Sequence, residues 1–141
     1  MKIYQQNNIY QQDFFIYGHR GVPSLAPENT LESFEKAIEL NYDGIELDTM
    51  ITKDGFLIVR HDLKASPKIF KEPIKLGNKV LEKEVAQIKY NEFYSSPILL
   101  RDVLENLGHK TILNIEIKDQ GRVSQTVIKK VIKELKKFNL I

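Results

Sequence analysis

A chain of 141 residues that is 42% hydrophobic and 28% charged, with a formal net charge of +2, has the balance of one globular domain with a single buried core. The absence of cysteine excludes a disulfide framework, a thiolate nucleophile and cysteine-ligated zinc, so any metal must be held by oxygen or imidazole. No apolar run approaches the roughly 18–20 residues of a membrane span, and the glutamine- and asparagine-rich opening, 1–13, lacks a signal-peptide core; it reads as an N-terminal extension of a cytoplasmic protein.

The run Phe14-Phe15-Ile16-Tyr17 predicts a short strand ending at Gly18. Asn29 and Thr30 then offer N-caps for a helix with Leu31, Phe34, Ala37 and Ile38 on one face, and Glu32 stands where a capping box from Asn29 would place it. Asn41 and Gly44 close that helix, and 45–51 alternates as a strand does. Asp54-Gly55 is the signal of a two-residue type I′ hairpin turn, returning along 56–60.

The stretch 63–95 is irregular and lysine-rich, with at most a helix around Leu81, Val85 and Ile88, and reads as an inserted segment. Ser96-Pro97 fits an N-cap with proline at N1, opening a helix with Leu100, Val103, Leu104 and Leu107 inward and Gly108 as its stop. A strand over 112–118 and a last helix follow. In that helix Val123, Val127, Val131 and Leu135, with Ile128 and Ile132 beside them, form the apolar stripe, and Lys129, Lys130, Lys133, Lys136 and Lys137 read as a solvated face rather than a nucleic-acid contact. Strands alternating with helices predict an α/β fold with parallel pairing of the main strands.

An I′ turn at Asp54-Gly55 pairs Met50 with Val59 and Asp48 with His61, with Glu46 on the face of Asp48. Alone, Glu46-Leu47-Asp48 reads as the outer face of an exposed hairpin. Two carboxylates and an imidazole on one partly buried patch, however, call for a cation, and oxygen ligands favour Mg²⁺ or Ca²⁺. In the strand over 112–118, Asn114, Glu116 and Lys118 share the other polar row. If both faces of these strands are covered, as in an α/β barrel, that row points at the mouth, making Glu116 a third candidate ligand and Lys118 a candidate for substrate anion. Gly18-His19-Arg20-Gly21 adds a proton-transfer group and a phosphate-matching fork between flexible glycines. His109, after Gly108, reads as a helix-dipole partner.

Taken in order, His19-Arg20-Gly21, Pro27-Glu28-Asn29-Thr30 with Ser33-Phe34 and Ala37, Glu46-Leu47-Asp48, Lys53-Asp54-Gly55, His61-Asp62 and Asn114-Ile115-Glu116-Ile117-Lys118 resemble the motifs of the glycerophosphodiester phosphodiesterase family over about 16–118. The resemblance implies metal-dependent hydrolysis of a small-molecule glycerophosphodiester to sn-glycerol 3-phosphate and an alcohol. It makes Glu46, Asp48 and Glu116 ligands of a divalent cation, His19 and His61 the general acid and base, and Arg20 the phosphate holder. It also implies the N-terminal portion of a TIM-type barrel, with an insertion over about 62–95 within a partial domain over 14–141. Leu63-Lys64-Ala65-Ser66-Pro67 departs from the family's Arg-Thr-Thr-like stretch. A whole barrel of this kind takes about 250 residues, so the expectation is an incomplete one. Such a chain is a fragment, a self-associating or complemented half, or an inactive remnant serving as an interaction module. A sphingomyelinase-D-like phospholipase is the neighbouring enzyme reading.

Overall fold

In the computed structural model, which describes residues 14–141, the sheet is organised around β2, Gly44–Ile51, almost all of it buried. The predicted extension over 1–13 lies outside the described residues. β1, Tyr17–His19, runs parallel to β2 from Tyr17↔Gly44 to His19↔Glu46. On the other side β8, Ile112–Ile117, runs parallel from Gly44↔Ile112 to Thr49↔Ile117. The start of β2 must be a glycine, because a Cβ on Gly44 would stand 2.5 Å from the Tyr17 ring and 2.7 Å from the Ile112 carbonyl oxygen.

Alternation along β2 sorts its residues between two layers. Ile45, Leu47 and Ile51 face the helices and form the main core with Leu57 and Val59. Helix α1, Leu31–Glu39, contributes Phe34 and Ala37, helix α2, Leu100–Leu107, contributes its Leu100, Val103, Leu104 and Leu107 face, and helix α3, Ser124–Lys137, contributes Val127 and Val131. Ile128 and Ile132 stay exposed, narrower than the predicted stripe. Among the lysines of α3, Lys130 donates from Nζ to the Gly55 carbonyl at 2.6 Å. The α/β class and the parallel pairing of the main strands are as expected. Among the described residues only β2 pairs with β8, and the flank of β8 borders an apolar groove lined by Leu113, Ile115, Val131, Leu135 and Leu140.

The hairpin differs from its predicted register by one residue. β3, Leu57–Val59, pairs as Thr49↔Val59, Met50↔Ile58 and Ile51↔Leu57. Within the turn only Gly55 has positive φ, so the connection is a three-residue loop, Lys53-Asp54-Gly55, and not a type I′ turn. Thr52 closes it: its hydroxyl donates to Asp54 Oδ1 at 2.7 Å and accepts the Phe56 N–H at 3.0 Å. Asp48 consequently lies opposite Arg60, whose N–H donates to the Asp48 carbonyl at 3.1 Å, and not opposite His61.

The segment after the hairpin holds short ladders where at most a helix was expected: β4, Lys64–Ala65, with β7, Lys83–Glu84, and β5, Ile74–Leu76, with β6, Lys79–Leu81. Val85 and Ile88 are buried at helical spacing, but a single 3₁₀ turn suffices, because they fill a second core with Met50, Ile58, Phe70, Phe93 and Leu99. Helix α2 begins three residues after Pro97 and lacks the predicted Ser96 cap, since Ile98 and Leu99 are held extended against β3 by Val59 N–H to the Ile98 carbonyl at 2.9 Å and by the Ile58↔Leu99 bridge.

Candidate functional site

On the face of β2 opposite the helices stand Glu46 and Asp48, and the parallel register sets Glu116 of β8 beside Asp48. Adjacent strands are about 4.8 Å apart, so three carboxylates converge without any loop having to bend toward them. Each offers one oxygen to a common point, these atoms all lying within 4.8 Å of one another. The Asp48 side chain is 1% exposed and that of Glu46 12%, which rules out the solvated outer face of a hairpin, whereas Glu116 is 54% exposed and closes the site from the solvent side.

The loop after β1 grips both β2 carboxylates. Arg20 is left-handed, φ 57°, and its N–H donates to the Glu46 carbonyl at 3.0 Å and to Glu46 Oε2 at 3.1 Å. Gly21, φ 91°, is required there: a Cβ would lie 2.3 Å from the Ser33 hydroxyl, which accepts the Val22 N–H at 2.8 Å. The Arg20 guanidinium donates from Nη1 to both Glu28 oxygens, at 3.1 and 3.2 Å, and its Nε lies 3.4 Å from Asp48 Oδ2. Asn29, 7% exposed and left-handed at φ 55°, donates from Nδ2 to Asp48 Oδ2 at 3.0 Å. The helix cap falls to Thr30, whose hydroxyl accepts the Ser33 N–H at 3.2 Å, so neither the Asn29 cap nor its capping box with Glu32 forms.

The site is charged with both signs. Lys118 Nζ lies 2.7 Å from Glu116 Oε1 and 2.9 Å from Asp48 Oδ1, so its ammonium bridges the two carboxylates. Burial works to raise Asp48, and the hydrogen bonds from Asn29 and Lys118 outweigh it, holding the carboxyl below its ordinary range. Glu46 goes the other way: burial pushes it up, the Arg20 N–H opposes, and the Asp48 charge adds to the rise. Burial would lower Lys118, but Glu116 and Asp48 hold its ammonium above the ordinary lysine value.

The two imidazoles flank this cluster. His19, at the end of β1, has its Nε2 3.8 Å from Glu46 Oε2. His61, just past β3, is paired by Nδ1 with Asp62 Oδ1 at 2.9 Å, which holds Asp62 below the carboxylate range; Asp62, not Asp48, orients the ring. Beside His61 opens a cleft of about 540 Å³, bounded by Asp62, Lys68, Tyr94 and Pro97. His109 stands apart, its Nε2 3.0 Å from the Phe138 carbonyl at the end of α3. The structure thus brings together His19, Arg20, Glu46, Asp48, His61, Glu116 and Lys118. Sequence reasoning passed over Glu28 and Asn29 as site residues; asparagine's tolerance of left-handed backbone was the available signal.

An all-oxygen triad whose buried Asp48 Oδ1 is met by the Lys118 ammonium fits a hard divalent cation, since a positive charge already stands between Asp48 and Glu116. The sequence profile of the glycerophosphoryl diester phosphodiesterase family matches residues 19–140. The glycerophosphodiester phosphodiesterase of Caldanaerobacter subterraneus subsp. tengcongensis is 37% identical over 131 residues, covering 88% of this chain and 53% of that protein. The Bacillus altitudinis glycerophosphodiester phosphodiesterase is 33% identical over 137 residues, covering 89% and 54%. Among solved structures, the Thermotoga maritima glycerophosphodiester phosphodiesterase superposes with TM-score 0.62 at 30% identity, over 87% of this chain and 51% of that one. An Oleispira antarctica phosphodiesterase, determined with its product sn-glycerol-3-phosphate, superposes with TM-score 0.71 at 20% identity, over 90% and 53%. The chain spans about half the length of the curated relatives it matches, and over that half the α/β fold is consistent with a partial TIM-type barrel.

Proposed function

This chain belongs to the glycerophosphoryl diester phosphodiesterase family, and from that premise we propose that its site serves the hydrolysis of glycerophosphodiesters to sn-glycerol 3-phosphate and an alcohol. The observation that carries the reading is the convergence of Glu46, Asp48 and Glu116 with Arg20, Lys118 and two imidazoles nearby. Glu46, Asp48 and Glu116 would hold Mg²⁺ or Ca²⁺, which when bound supplies positive charge that stabilises developing negative charge on the phosphoryl oxygens.

The chain's own residues do the rest. The Arg20 guanidinium, held through Nη1 by Glu28, presents its remaining N–H groups to a phosphate oxygen, and Lys118, just past β8, adds a second cation. One of His19 and His61 removes the proton from the attacking oxygen, and the other returns a proton to the departing alkoxide as its P–O bond breaks. Net, one water is consumed, whether its oxygen or a neighbouring substrate hydroxyl attacks phosphorus first. The cleft beside His61 gives the leaving alcohol room.

The test is release of glycerol 3-phosphate from a panel of glycerophosphodiesters by the purified chain with Mg²⁺, Ca²⁺ or Mn²⁺. His19→Ala and His61→Ala are each expected to slow release by about 10²-fold or more. No release from any substrate overturns the activity, and unchanged rates in the two variants overturn the acid–base assignment.

A further inference from the structure

Four non-glycine residues among those described have positive φ: Arg20, Asn29, Asn41 and Asn139. Asn41 and Asn139 directly follow the C-caps of α1 and α3, where left-handed residues end helices. Arg20 and Asn29 follow no helix. They are joined to each other, the Asn29 N–H donating to the Arg20 carbonyl at 3.0 Å, and each reaches one carboxylate of β2. Arg20 gives its backbone N–H to Glu46, and Asn29 gives its side-chain amide to Asp48. Residues in such backbone states persist where the surroundings over-determine them, and at a site they orient what they touch.

Both ends of the Asn29 side chain are spent on one residue. Its Nδ2 donates to Asp48 Oδ2 at 3.0 Å and its Oδ1 receives the Asp48 N–H at 3.5 Å, while the neighbouring helix is capped by Thr30 alone. A buried amide that serves neither helix nor turn, and that fixes one oxygen of a buried carboxylate while the other faces the Lys118 ammonium shared with Glu116, is placed to orient that carboxylate toward a cation. We infer that Asn29 is a positioning residue of the cation site, holding Asp48 so that Oδ1 is presented to a divalent ion together with Glu46 and Glu116. The inference rests on the reading of those three carboxylates as ligands.

Mn²⁺ binding to the whole chain, measured by calorimetry on wild type, Asn29→Gly, Thr30→Ala and Glu116→Gln, tests it. Glycine accepts the left-handed backbone and removes only the amide. Asn29→Gly is expected to bind Mn²⁺ about 10–100-fold more weakly while keeping the circular dichroism spectrum and cooperative unfolding of the wild type. Thr30→Ala, which weakens the same loop without touching Asp48, is expected to stay within about twofold of wild-type affinity while unfolding at lower temperature. Wild-type affinity in Asn29→Gly overturns the inference. So does loss of the fold in that variant, or equal weakening in Thr30→Ala, because either assigns Asn29 to the scaffold. No wild-type Mn²⁺ binding, or binding that Glu116→Gln leaves intact, overturns the ligand reading itself.

Discussion

Glu46 and Asp48 are two residues apart on one strand face, yet their surroundings drive them in opposite directions. Asp48 is more deeply placed but collects the donors, from Asn29 and Lys118; Glu46 is buried with one backbone donor and faces Asp48's charge. Because folding raises Glu46 above 4.5, the unfolded chain releases this proton first, and its contribution to stability falls as pH rises through the interval from that ordinary value to the raised one. In the metal-free chain Glu46→Gln is therefore expected to raise the unfolding midpoint at pH 7, the gain vanishing below the ordinary glutamate value, as a pH series of thermal melts would show. Asp48 has the opposite sign: its folded value lies below 3.8, so its contribution is complete above that and is lost as pH falls through the lowered value. Asp48→Asn leaves Lys118 and Arg20 facing each other without their shared partner, and should cost about 3 kcal/mol in denaturant titrations at neutral pH. A stabilised Glu46→Gln beside a destabilised Asp48→Asn would show strain at one carboxylate and scaffold duty at the other.

At the scale of elements, what could be read in the sequence was what local chemistry alone decides. The α2 face Leu100, Val103, Leu104 and Leu107 is buried as its spacing predicted, and the alternation of β2 put Glu46 and Asp48 on one side. What failed were boundaries set by partners distant in sequence. Ser96-Pro97 is a good helix start in isolation, but Ile98 and Leu99 are claimed by β3. Asp54-Gly55 is a good I′ turn in isolation, but Asp54 Oδ1 is held by the Thr52 hydroxyl and also accepts the Tyr90 N–H at 2.9 Å, which stabilises the longer loop. The one-residue offset left the site legible because His61 lies beyond the paired residues, so its ring is aimed by Asp62 and not by the strand face. The Gly18–Gly21 loop allows a sharper forecast: Gly21→Ala, with φ 91° and the Ser33 hydroxyl in the path of its Cβ, should destabilise by about 2 kcal/mol or more and release the Arg20 grip on Glu46. Chemical denaturation alongside Mn²⁺ titration would detect both losses together.

For the molecule as a whole, the three carboxylates are not local to one segment. Glu46 and Asp48 come from β2 and Glu116 from β8, and the segment 63–95, which packs a second core with Met50 and Ile58, lies between them in sequence. A cation held by all three would tie the β1–β2 half of the sheet to β8 across the register Asp48↔Glu116, so binding would favour the folded chain over the unfolded one, in which Glu116 is far from the other two. The gain follows from mass action: at about 100 times the dissociation constant it is roughly 2.7 kcal/mol, enough to move the unfolding midpoint of a domain this size by several degrees. Melts with increasing Mg²⁺ or Mn²⁺ should shift upward with the logarithm of concentration and without a plateau above saturation. Monovalent salt at matched ionic strength should not reproduce the shift, since screening acts on Lys118 pairs and surface charges alike. Glu116→Gln should flatten the dependence while leaving the metal-free midpoint almost unchanged, because Glu116 is the exposed carboxylate of the three and Lys118 keeps Asp48. A shift that survived in Glu116→Gln would mean that the ion binds to one strand only, and the coupling of β2 to β8 through the site would be wrong.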